Sequence, residues 1–209
     1  MDGICERCSV RTIALHRYYE SNIPIEYWNL SMKDFKGPEV FKTVYSGSIS
    51  NLQNVYSKGL NCALLGTHGL GKTMVATSIL RKMAEKNYNC LYTTLTDMVN
   101  VIIEAPFEEK YAAKKELVQV DMLVIDELDS RFFTASENTA DLFAKALENI
   151  IRTRFANKLP NIFISNSPNM LEGFNGAFKE SLGSLMANVK EFAARGPDFR
   201  KNVKEDNGR

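Results

Sequence analysis

The stretch LLGTHGLGKT, residues 64–73, constrains the fold of this chain more than any other part of the sequence. It joins a short apolar segment, NCALL, to KTMVATSILRKMAEK, whose apolar spacing predicts a helix. The pattern G-x-x-x-x-G-K-[ST] between a strand and a helix is typical of a loop whose backbone N–H groups surround a phosphate. The sequence therefore predicts a nucleotide site formed by Gly66, Thr67, His68, Gly69, Leu70, Gly71, Lys72, Thr73 and Met74.

Short apolar segments alternate with helical patterns from Asn61 onward. The predicted strands are NCALLG, CLYTT, VDMLVIDEL, PNIFISNS and a last one within VKEFAARG. The segments between them have the composition or spacing of helices, among them EEKYAAKKELVQ, TADLFAKALENIIRTRFANK and GAFKESLGSLMANV. Because strands that are apolar throughout must be buried on both faces, this alternation predicts an α/β fold with a parallel sheet between layers of helices.

The chain divides into three predicted parts. An N-terminal extension covers residues 1–57, a core domain covers 58–200, and a polar tail covers 201–209. In the extension, RTIALHRYYES predicts a helix that ends before Pro24. The stretch GPEVFKTVYSGSISNLQNVYSKG predicts one continuous second helix, with Gly59 just past its end.

The charge, the cysteines and the apolar runs give no sign of a strongly basic nucleic-acid-binding protein, a disulfide-rich protein or a membrane protein. The formal net charge is +1, so contact with a nucleic acid would require a local basic patch. Cys62 and Cys90 lie in apolar runs, and the four cysteines do not form a disulfide framework. No apolar run has the length of a membrane span, and the first residues do not form a signal peptide. We therefore expect a cytoplasmic protein without a membrane partner.

Two acidic residues follow the apolar run at 122–125. Asp126 and Glu127 leave the strand at its carboxyl end, where ligands bind in open parallel sheets. Beside a phosphate loop, we predict that Asp126 and Thr73 hold Mg²⁺ and that Lys72 reaches the β- and γ-phosphates. Glu127 would orient or deprotonate the attacking water. A pair of acids that merely caps a strand end is the alternative.

Asn166 ends the apolar run IFIS, which is predicted to lie next to the acidic strand. Its amide is a candidate catalytic group that holds the water or the γ-phosphate. An ordinary turn asparagine before Pro168 is the alternative.

These three motifs, in this order and spacing, resemble the AAA+ ATPases. More narrowly, they resemble the DnaC-type loaders of replicative helicases and the IstB-type transposition ATPases. The likeness extends to SNIPIEYWNLSMKDF, which is similar to an I-P-x-x-Y segment near the adenine, and to LENIIRTRFANKLPNIFISNS. It also includes GPDFR, which is similar to a closing G-x-x-[YF]-R, so that the resemblance covers roughly residues 20–200.

The resemblance implies a definite fold, activity and assembly. The sheet would have five parallel strands in the order 5-1-4-3-2. The helical lid would be minimal or absent, because only RKNVKEDNGR follows Phe199. The chain would hydrolyse ATP to ADP and phosphate, with ATP bound between subunits of a homo-oligomeric spiral or ring. That assembly would grip single-stranded DNA and hold a hexameric helicase, in a bacterium or in a host infected by a phage.

The arginine finger of the resembled family is missing from its usual position. Those proteins carry a Ser-Arg pair in the helix after Asn166, and the corresponding residues here are Ser184 and Leu185. An arginine finger accelerates phosphoryl transfer roughly a thousandfold or more, so we expect slow hydrolysis or a substitute. Arg154 is the first candidate, with a solvated helix end as the alternative, and Arg200 is a candidate to approach the γ-phosphate of its own subunit. The other candidates are Arg152, Arg131 and Lys179.

The motif CERC near the N-terminus contains half of a zinc-ribbon pattern. Cys5 and Cys8 are candidate zinc ligands, and His16 is the nearest third ligand. Because structural zinc requires four ligands, reduced surface thiols are the alternative.

The segment EEKYAAKKE, which precedes the acidic strand, contains Lys110, Lys114 and Lys115. In the resembled family this region faces the DNA channel, where lysines would neutralise phosphates. A solvated helix with Glu–Lys pairs is the alternative.

The main prediction is an ATP-dependent loader of a replicative helicase that assembles on single-stranded DNA during replication initiation. One alternative is an IstB-like transposition ATPase that acts on double-stranded DNA. Another is an adaptor or inhibitor of a helicase that binds ATP without hydrolysing it. A small-molecule kinase fits less well, because such enzymes usually lack the Asp-Glu pair and require a lid.

Overall fold

The computed structural model describes residues 6–128, 137–171 and 176–199. Within these ranges the helices are α1 (Glu6–Glu20), α2 (Glu39–Ser50), α3 (Leu52–Lys58), α4 (Lys72–Glu85), α5 (Leu95–Val99), α6 (Phe107–Gln119), α7 (Glu137–Ala156) and α8 (Gly176–Met186). The strands are β1 (Asn61–Leu65), β2 (Cys90–Thr94), β3 (Met122–Asp126), β4 (Asn161–Ser165) and β5 (Lys190–Ala193). A π-helical turn, Asn100–Glu104, continues α5.

The strands form one parallel sheet in the order β2-β3-β4-β1-β5. β1 pairs with β4 from Asn61↔Asn161 to Leu65↔Ser165, and its other side pairs with β5. β3 and β4 are buried along their whole length. Read from the opposite edge, the order is 5-1-4-3-2, so the predicted α/β fold and its strand order are confirmed.

Helices cover both faces of the sheet, as strands that are apolar throughout require. Along β4, Ile162 and Ile164 pack on the face that carries α1, α2 and α4. Phe163, between them, packs on the opposite face with α5, α6, α7 and α8. The alternation follows the two-residue repeat of a strand, and it explains why sequence segments without a polar side still form strands.

The segment between Pro38 and Gly59 contains two helices, so the prediction of one continuous helix is wrong. The backbone of Asn51 leaves the helical region, with φ −149° and ψ 67°. Its side-chain oxygen accepts a hydrogen bond from the N–H of Asn54 at 2.9 Å. Asparagine favours such N-cap positions, because its side chain satisfies an N–H that has no partner within the helix. The predicted end at Gly59 is confirmed, with φ 59°.

The N-terminal helices contribute to the packed core. Tyr18 of α1 and Phe41 of α2 are 6% and 0% exposed. Arg17 donates hydrogen bonds to the carbonyl oxygens of Ala84 and Glu85 at 3.4 and 3.2 Å, and this contact caps the end of α4. In the part of the chain that the structure describes, no helix combines the length and apolar character needed to cross a membrane.

Candidate functional site

A cavity of about 790 Å³ opens at the carboxyl edge of the sheet, where parallel α/β folds bind ligands. Its walls come from the β1–α4 loop, from the ends of β2, β3 and β4, and from the segment before α2. Most of the predicted nucleotide-site residues line this cavity, namely His68, Gly69, Leu70, Gly71, Lys72, Thr73, Met74, Asp126, Glu127 and Asn166. The structure therefore brings together residues that lie far apart in the sequence, while their chemical roles stay predictions.

The loop between β1 and α4 can curl because of its glycines. Gly66 and Gly71 have φ angles of 135° and 81°, which side chains other than glycine rarely adopt. A Cβ atom on Gly66 would overlap the carbonyl oxygen of Ala194, and one on Gly71 would overlap the ring of Phe35. Helix α4 begins at Lys72 without a side-chain cap, so its positive end lies at the cavity and suits an anion.

The Lys72 ammonium lies within the curl of this loop. Its Nζ donates hydrogen bonds to the carbonyl oxygens of Gly66 and Thr67 at 2.6 and 2.8 Å. The residue is 5% exposed. A buried ammonium beside the loop is suited to a charge-assisted contact with a phosphate that the same loop holds.

The Asp126 carboxylate accepts hydrogen bonds from three neighbouring groups. Its Oδ2 accepts from the hydroxyls of Thr73 and Tyr92 at 2.7 and 2.9 Å. Its Oδ1 accepts from the backbone N–H of Glu127 at 2.6 Å. Burial and the nearby Asp126 raise the pKa of the Tyr92 phenol, so this phenol keeps its proton and acts as a donor.

The donor set at Asp126 fits Mg²⁺. The Thr73 hydroxyl and the Asp126 carboxylate supply hard oxygen atoms, which Mg²⁺ prefers, and nucleotide phosphates commonly complete its coordination. Tyr92, which also contacts Asp126, was not predicted as a site residue. Its signal in the sequence is weak, because a tyrosine within CLYTT reads equally well as part of an apolar strand.

Glu127 occupies a tight turn directly after β3. Its φ is 56°, in the left-handed region that residues other than glycine seldom adopt. The N–H of the next residue, Leu128, donates to the carbonyl oxygen of Ile164 at 2.8 Å, so the turn is fixed to β4. Strained backbone of this kind is concentrated at functional sites. Asn166, just beyond β4, lines the same cavity.

The segment before α2 forms another wall of the cavity. Pro24 and Tyr27, the proline and tyrosine of the I-P-x-x-Y segment, line it together with Phe35. Arg81 of α4 anchors this wall by donating to the carbonyl oxygens of Trp28 and Leu30 at 2.6 and 2.5 Å. The segment that resembles an adenine-side element therefore lies at this cavity. Arg81, outside that segment, is a contributor that the sequence did not indicate.

The chain after β5 packs against the phosphate loop. The backbone N–H of Phe199 donates to the carbonyl oxygen of Gly69 at 3.1 Å, and Phe199 lines the cavity. Arg200 lies outside the described residues, as does the tail at 201–209. The predicted role of Arg200 and the predicted lack of a lid therefore stay predictions.

Arg154 lies where β3 and β4 begin, at the end of the sheet opposite the cavity. The prediction that it is the catalytic arginine is wrong. It is 0% exposed. Its Nε donates to Oδ1 of Asn161 at 2.5 Å, and its terminal amino groups donate to the carbonyl oxygens of Leu117, Val120 and Pro160 at 2.9, 2.8 and 3.0 Å. Burial lowers the pKa of its guanidinium to about 10, so it is charged at neutral pH. These bonds join α6 and α7 to the starts of β3 and β4, and they leave the guanidinium no path to a neighbouring subunit.

The other arginine-finger candidates have different surroundings. Leu185 is partly buried against the core, whereas Lys179 is exposed. The Arg152 side chain is 60% exposed, and it donates to the Glu148 carboxylate at 2.6 Å. Hydrogen bonds from Arg152 and Ser181 lower the pKa of Glu148. Arg131 lies outside the described residues, so Arg152 is the arginine candidate that the structure shows on the surface.

The zinc prediction lies largely outside the described part of the chain. Cys5 is not among the described residues, and nothing is described of the Cys8 side chain. His16 is exposed on α1, and its Nδ1 lies 3.2 Å from the Glu20 carboxylate. Within residues 6–128, 137–171 and 176–199, no cluster of three or more histidine, cysteine or acidic residues could hold a metal ion. The structure gives no support to zinc.

The outer surface of α6 combines aromatic and basic side chains. Phe107 and Tyr111 are 79% and 68% exposed, although they are large apolar residues. Lys114 and Lys115 are exposed on the next turn. The Lys110 amine instead donates to a carbonyl oxygen in the π-helical turn at 2.7 Å. Two of the three predicted lysines are therefore free to contact a ligand in solution.

Comparisons of the sequence with known proteins identify its family. The sequence profile of the IstB-like ATP binding protein family matches residues 46–166, more than half of the chain. The chromosomal replication initiator protein DnaA of Borrelia turicatae is 34% identical over 90 residues, which are 42% of this chain and 19% of DnaA. The match thus spans about a fifth of that relative.

Solved structures share the fold at low sequence identity. A structure of the replication initiator DnaA bound to AMPPCP and single-stranded DNA has a TM-score of 0.67 at 18% identity, over 88% of this chain and 56% of that chain. The crystal structure of the DnaC helicase loader has a TM-score of 0.61 at 16% identity, over 81% of this chain and 99% of that chain.

Proposed function

This chain belongs to the family of IstB-like ATP binding proteins, and from that premise we propose that it is an ATP-dependent loader of a hexameric replicative DNA helicase. It acts on single-stranded DNA during the initiation of replication. The observation that carries the proposal is the convergence of Lys72, Thr73, Asp126 and Glu127 on one cavity at the carboxyl edge of the sheet. The fold shared with the DnaC helicase loader supports helicase loading as the process in which the chain acts.

The residues of the cavity have separate roles in the binding and hydrolysis of ATP. Lys72 orients and neutralises the β- and γ-phosphates, which the loop N–H groups also hold. Thr73 and Asp126 hold Mg²⁺, which when bound neutralises charge on the phosphate oxygens. Glu127 orients the attacking water and accepts its proton. Asn166, on the same cavity, holds that water or the γ-phosphate.

Helix α6 supplies the contact with DNA. The exposed rings of Phe107 and Tyr111 lie one helical turn apart, so each can stack on a base of a single strand. Lys114 and Lys115 follow on the next turn and neutralise phosphates. Bases in a duplex are already stacked on each other, and the combination of exposed rings and lysines therefore favours a single strand.

Assembly of several copies completes the catalytic site. Among the described residues, no arginine lines the cavity. On this proposal a neighbouring subunit provides the positive charge that stabilises phosphoryl transfer, and Arg152, whose side chain is exposed, is the first candidate among the described residues. Hydrolysis by an isolated subunit is slow for the same reason.

Two observations favour other functions. The match to the IstB-like family favours a transposition ATPase that acts on duplex DNA. The burial of Arg154, together with the packing of Leu185 against the core, favours an adaptor that binds ATP without turnover. The three functions differ in the DNA that they bind and in whether they hydrolyse ATP.

The experiment is a binding titration that compares DNA forms and nucleotides. The fluorescence anisotropy of a labelled oligothymidine and of a labelled duplex of equal length is measured with ATP, with ADP and without nucleotide. A loader binds the single strand more tightly, and only with ATP. It also increases the amount of a purified bacterial replicative hexamer retained on circular single-stranded DNA. Tighter binding to the duplex would contradict the proposal and favour transposition, while retention of the hexamer with ATP but without measurable ATP turnover would favour the adaptor.

A further inference from the structure

Tyr92 contacts both the metal-binding carboxylate and the N-terminal segment. Its hydroxyl donates to Oδ2 of Asp126 at 2.9 Å. Its backbone N–H donates to the carbonyl oxygen of Ser21 at 2.9 Å, and its own carbonyl oxygen accepts from Nδ2 of Asn22 at 3.1 Å. One residue therefore joins the chain just after α1 to the nucleotide cavity.

The position of β2 explains the backbone contacts. β2 is an edge strand of the sheet, so the N–H and C=O groups on its outer side have no strand partner. The segment after α1 covers this edge at Tyr92, where Asn22 takes a left-handed φ of 52° and turns the chain. Asparagine tolerates that conformation better than most residues. Helix α1 is held in place in turn by the bonds of Arg17 to the end of α4.

The side-chain contact fixes the orientation of the carboxylate. Oδ2 of Asp126 accepts from Thr73 and Tyr92 together, while Oδ1 accepts from a backbone N–H. A carboxylate that binds a metal presents its remaining lone pair in the direction that such donors set, and removal of these partners lowers metal affinity. The Tyr92 side chain is buried, at 7% exposure, so water does not readily replace its hydroxyl.

We propose that Tyr92 is a positioning residue that orients Asp126 for Mg²⁺ and that couples the affinity of the site for Mg²⁺-nucleotide to the pairing of residues 21–22 with β2. This inference rests on the proposed nucleotide site, and it is independent of DNA binding and helicase loading. Displacement of the segment after α1 from the sheet edge lowers the contribution of Mg²⁺ to nucleotide binding.

The first test is Tyr92→Phe, which keeps the ring and removes the hydroxyl. Isothermal titration calorimetry measures the Kd for ADP of the full chain with Mg²⁺ and with EDTA. The ratio of the two Kd values gives the enhancement by Mg²⁺. We expect this enhancement to fall about tenfold, while the Kd in EDTA is unchanged. Tyr88→Phe is the matched control, because Tyr88 packs against Tyr56 and lies away from the cavity.

The second test changes Asn22, which binds the backbone of Tyr92, and leaves the buried Tyr92 ring intact. Asn22→Gly removes the amide that donates to Tyr92, and glycine tolerates the local φ of 52°. Asn87→Gly is the control, because Asn87 also has a positive φ, 68°, but lies on the exposed turn before β2. We expect Asn22→Gly to reduce the enhancement by Mg²⁺ and Asn87→Gly to leave it unchanged.

An enhancement by Mg²⁺ in Tyr92→Phe equal to that of the wild-type chain would overturn the positioning role. An equal enhancement by Mg²⁺ in Asn22→Gly and Asn87→Gly would overturn the coupling of Mg²⁺-nucleotide affinity to the pairing of residues 21–22 with β2. A wild-type chain whose affinity for ADP does not depend on Mg²⁺ would overturn both. Because ADP binding requires neither turnover nor DNA, a chain that fails to load a helicase still gives a decisive result here.

Discussion

The Thr73 hydroxyl donates to the Asp126 carboxylate across a distance of 2.7 Å, although 53 positions separate the two residues in the sequence. Thr73 lies in the first turn of α4, and Asp126 is the last residue of β3. The β1–α4 loop and the acidic end of β3 therefore meet in the folded chain. Both side chains end in the hard oxygen atoms that Mg²⁺ prefers, as the proposed magnesium site requires.

Replacement of the lysine in the phosphate loop tests nucleotide binding. Lys72→Ala removes an ammonium that lies against the loop. Hydrogen bonds to charged groups contribute about 1.5–3 kcal/mol, so we expect the Kd for ATP to rise roughly ten- to a hundredfold. Titration of a fluorescent ATP analogue measures this change. Lys82→Ala, which removes a lysine paired with Glu85 on the surface, is the control. Equal affinity in the two variants would mean that the phosphates bind elsewhere.

The buried arginine is predicted to stabilise the fold. Arg154→Ala leaves the carbonyl oxygens of Leu117, Val120 and Pro160 without this donor. We expect the free energy of unfolding to fall by roughly 3–5 kcal/mol, because a buried polar network loses its central partner. Urea denaturation followed by circular dichroism measures the loss.

Arg152 provides the control for that prediction. Its side chain is 60% exposed, so Arg152→Ala should change the free energy of unfolding by only about 0.5 kcal/mol. An Arg154→Ala variant that keeps full stability and loses ATP turnover would contradict the structural role. If Arg152 acts on the neighbouring site, its alanine variant loses turnover at unchanged stability.

The exposed rings of α6 are predicted to bind single-stranded DNA. Each stacked base contributes about 1–3 kcal/mol to binding. We therefore expect Phe107→Ala and Tyr111→Ala each to weaken binding of oligothymidine roughly fivefold or more, without a change in ATP affinity. Fluorescence anisotropy measures both affinities. Tyr19→Ala removes a ring that is 75% exposed on α1 and serves as the control. If all three variants weaken DNA binding equally, α6 is not the specific contact.

The cap between α2 and α3 is predicted to stabilise the N-terminal part of the chain. Asn51→Ala removes the acceptor for the N–H of Asn54, so the free energy of unfolding should fall by about 1 kcal/mol. Asn51→Ser retains an oxygen at the cap and should restore most of that energy. Thermal unfolding of the two variants makes the comparison. Equal stability of Asn51→Ala and the wild-type chain would show that the cap contributes nothing.

The parts of the site that the sequence predicted are those in which neighbouring residues carry the chemistry. The phosphate loop is one continuous stretch of sequence, and so is the Asp126–Glu127 pair. The apolar run before each of them identifies a strand. The strand order was available from the family resemblance. Tyr92 and Asn22 were not predicted, because their contacts exist only once the edge of the sheet and the path of the preceding chain are known.

The error at Arg154 has a different cause. Arg154 follows the buried Ile150 and Ile151 by four and three residues, so helical spacing already places it on the apolar face of α7. Its charge and its similarity to an arginine of the resembled family argued for a role at the nucleotide. Two of the carbonyl oxygens that satisfy the guanidinium, those of Leu117 and Val120, lie 37 and 34 positions away, and the sequence alone does not bring that segment to Arg154.

Catalysis at this cavity is tested most directly by ATP turnover per subunit, measured as the protein concentration rises, with and without single-stranded DNA. We predict that turnover per subunit increases with concentration and with DNA, because a neighbouring subunit completes the site. We also predict that Glu127→Gln, which retains ATP binding, lowers turnover about a hundredfold or more. Turnover that stays at the level of Glu127→Gln at every concentration, while ATP remains bound, would contradict catalysis at this site.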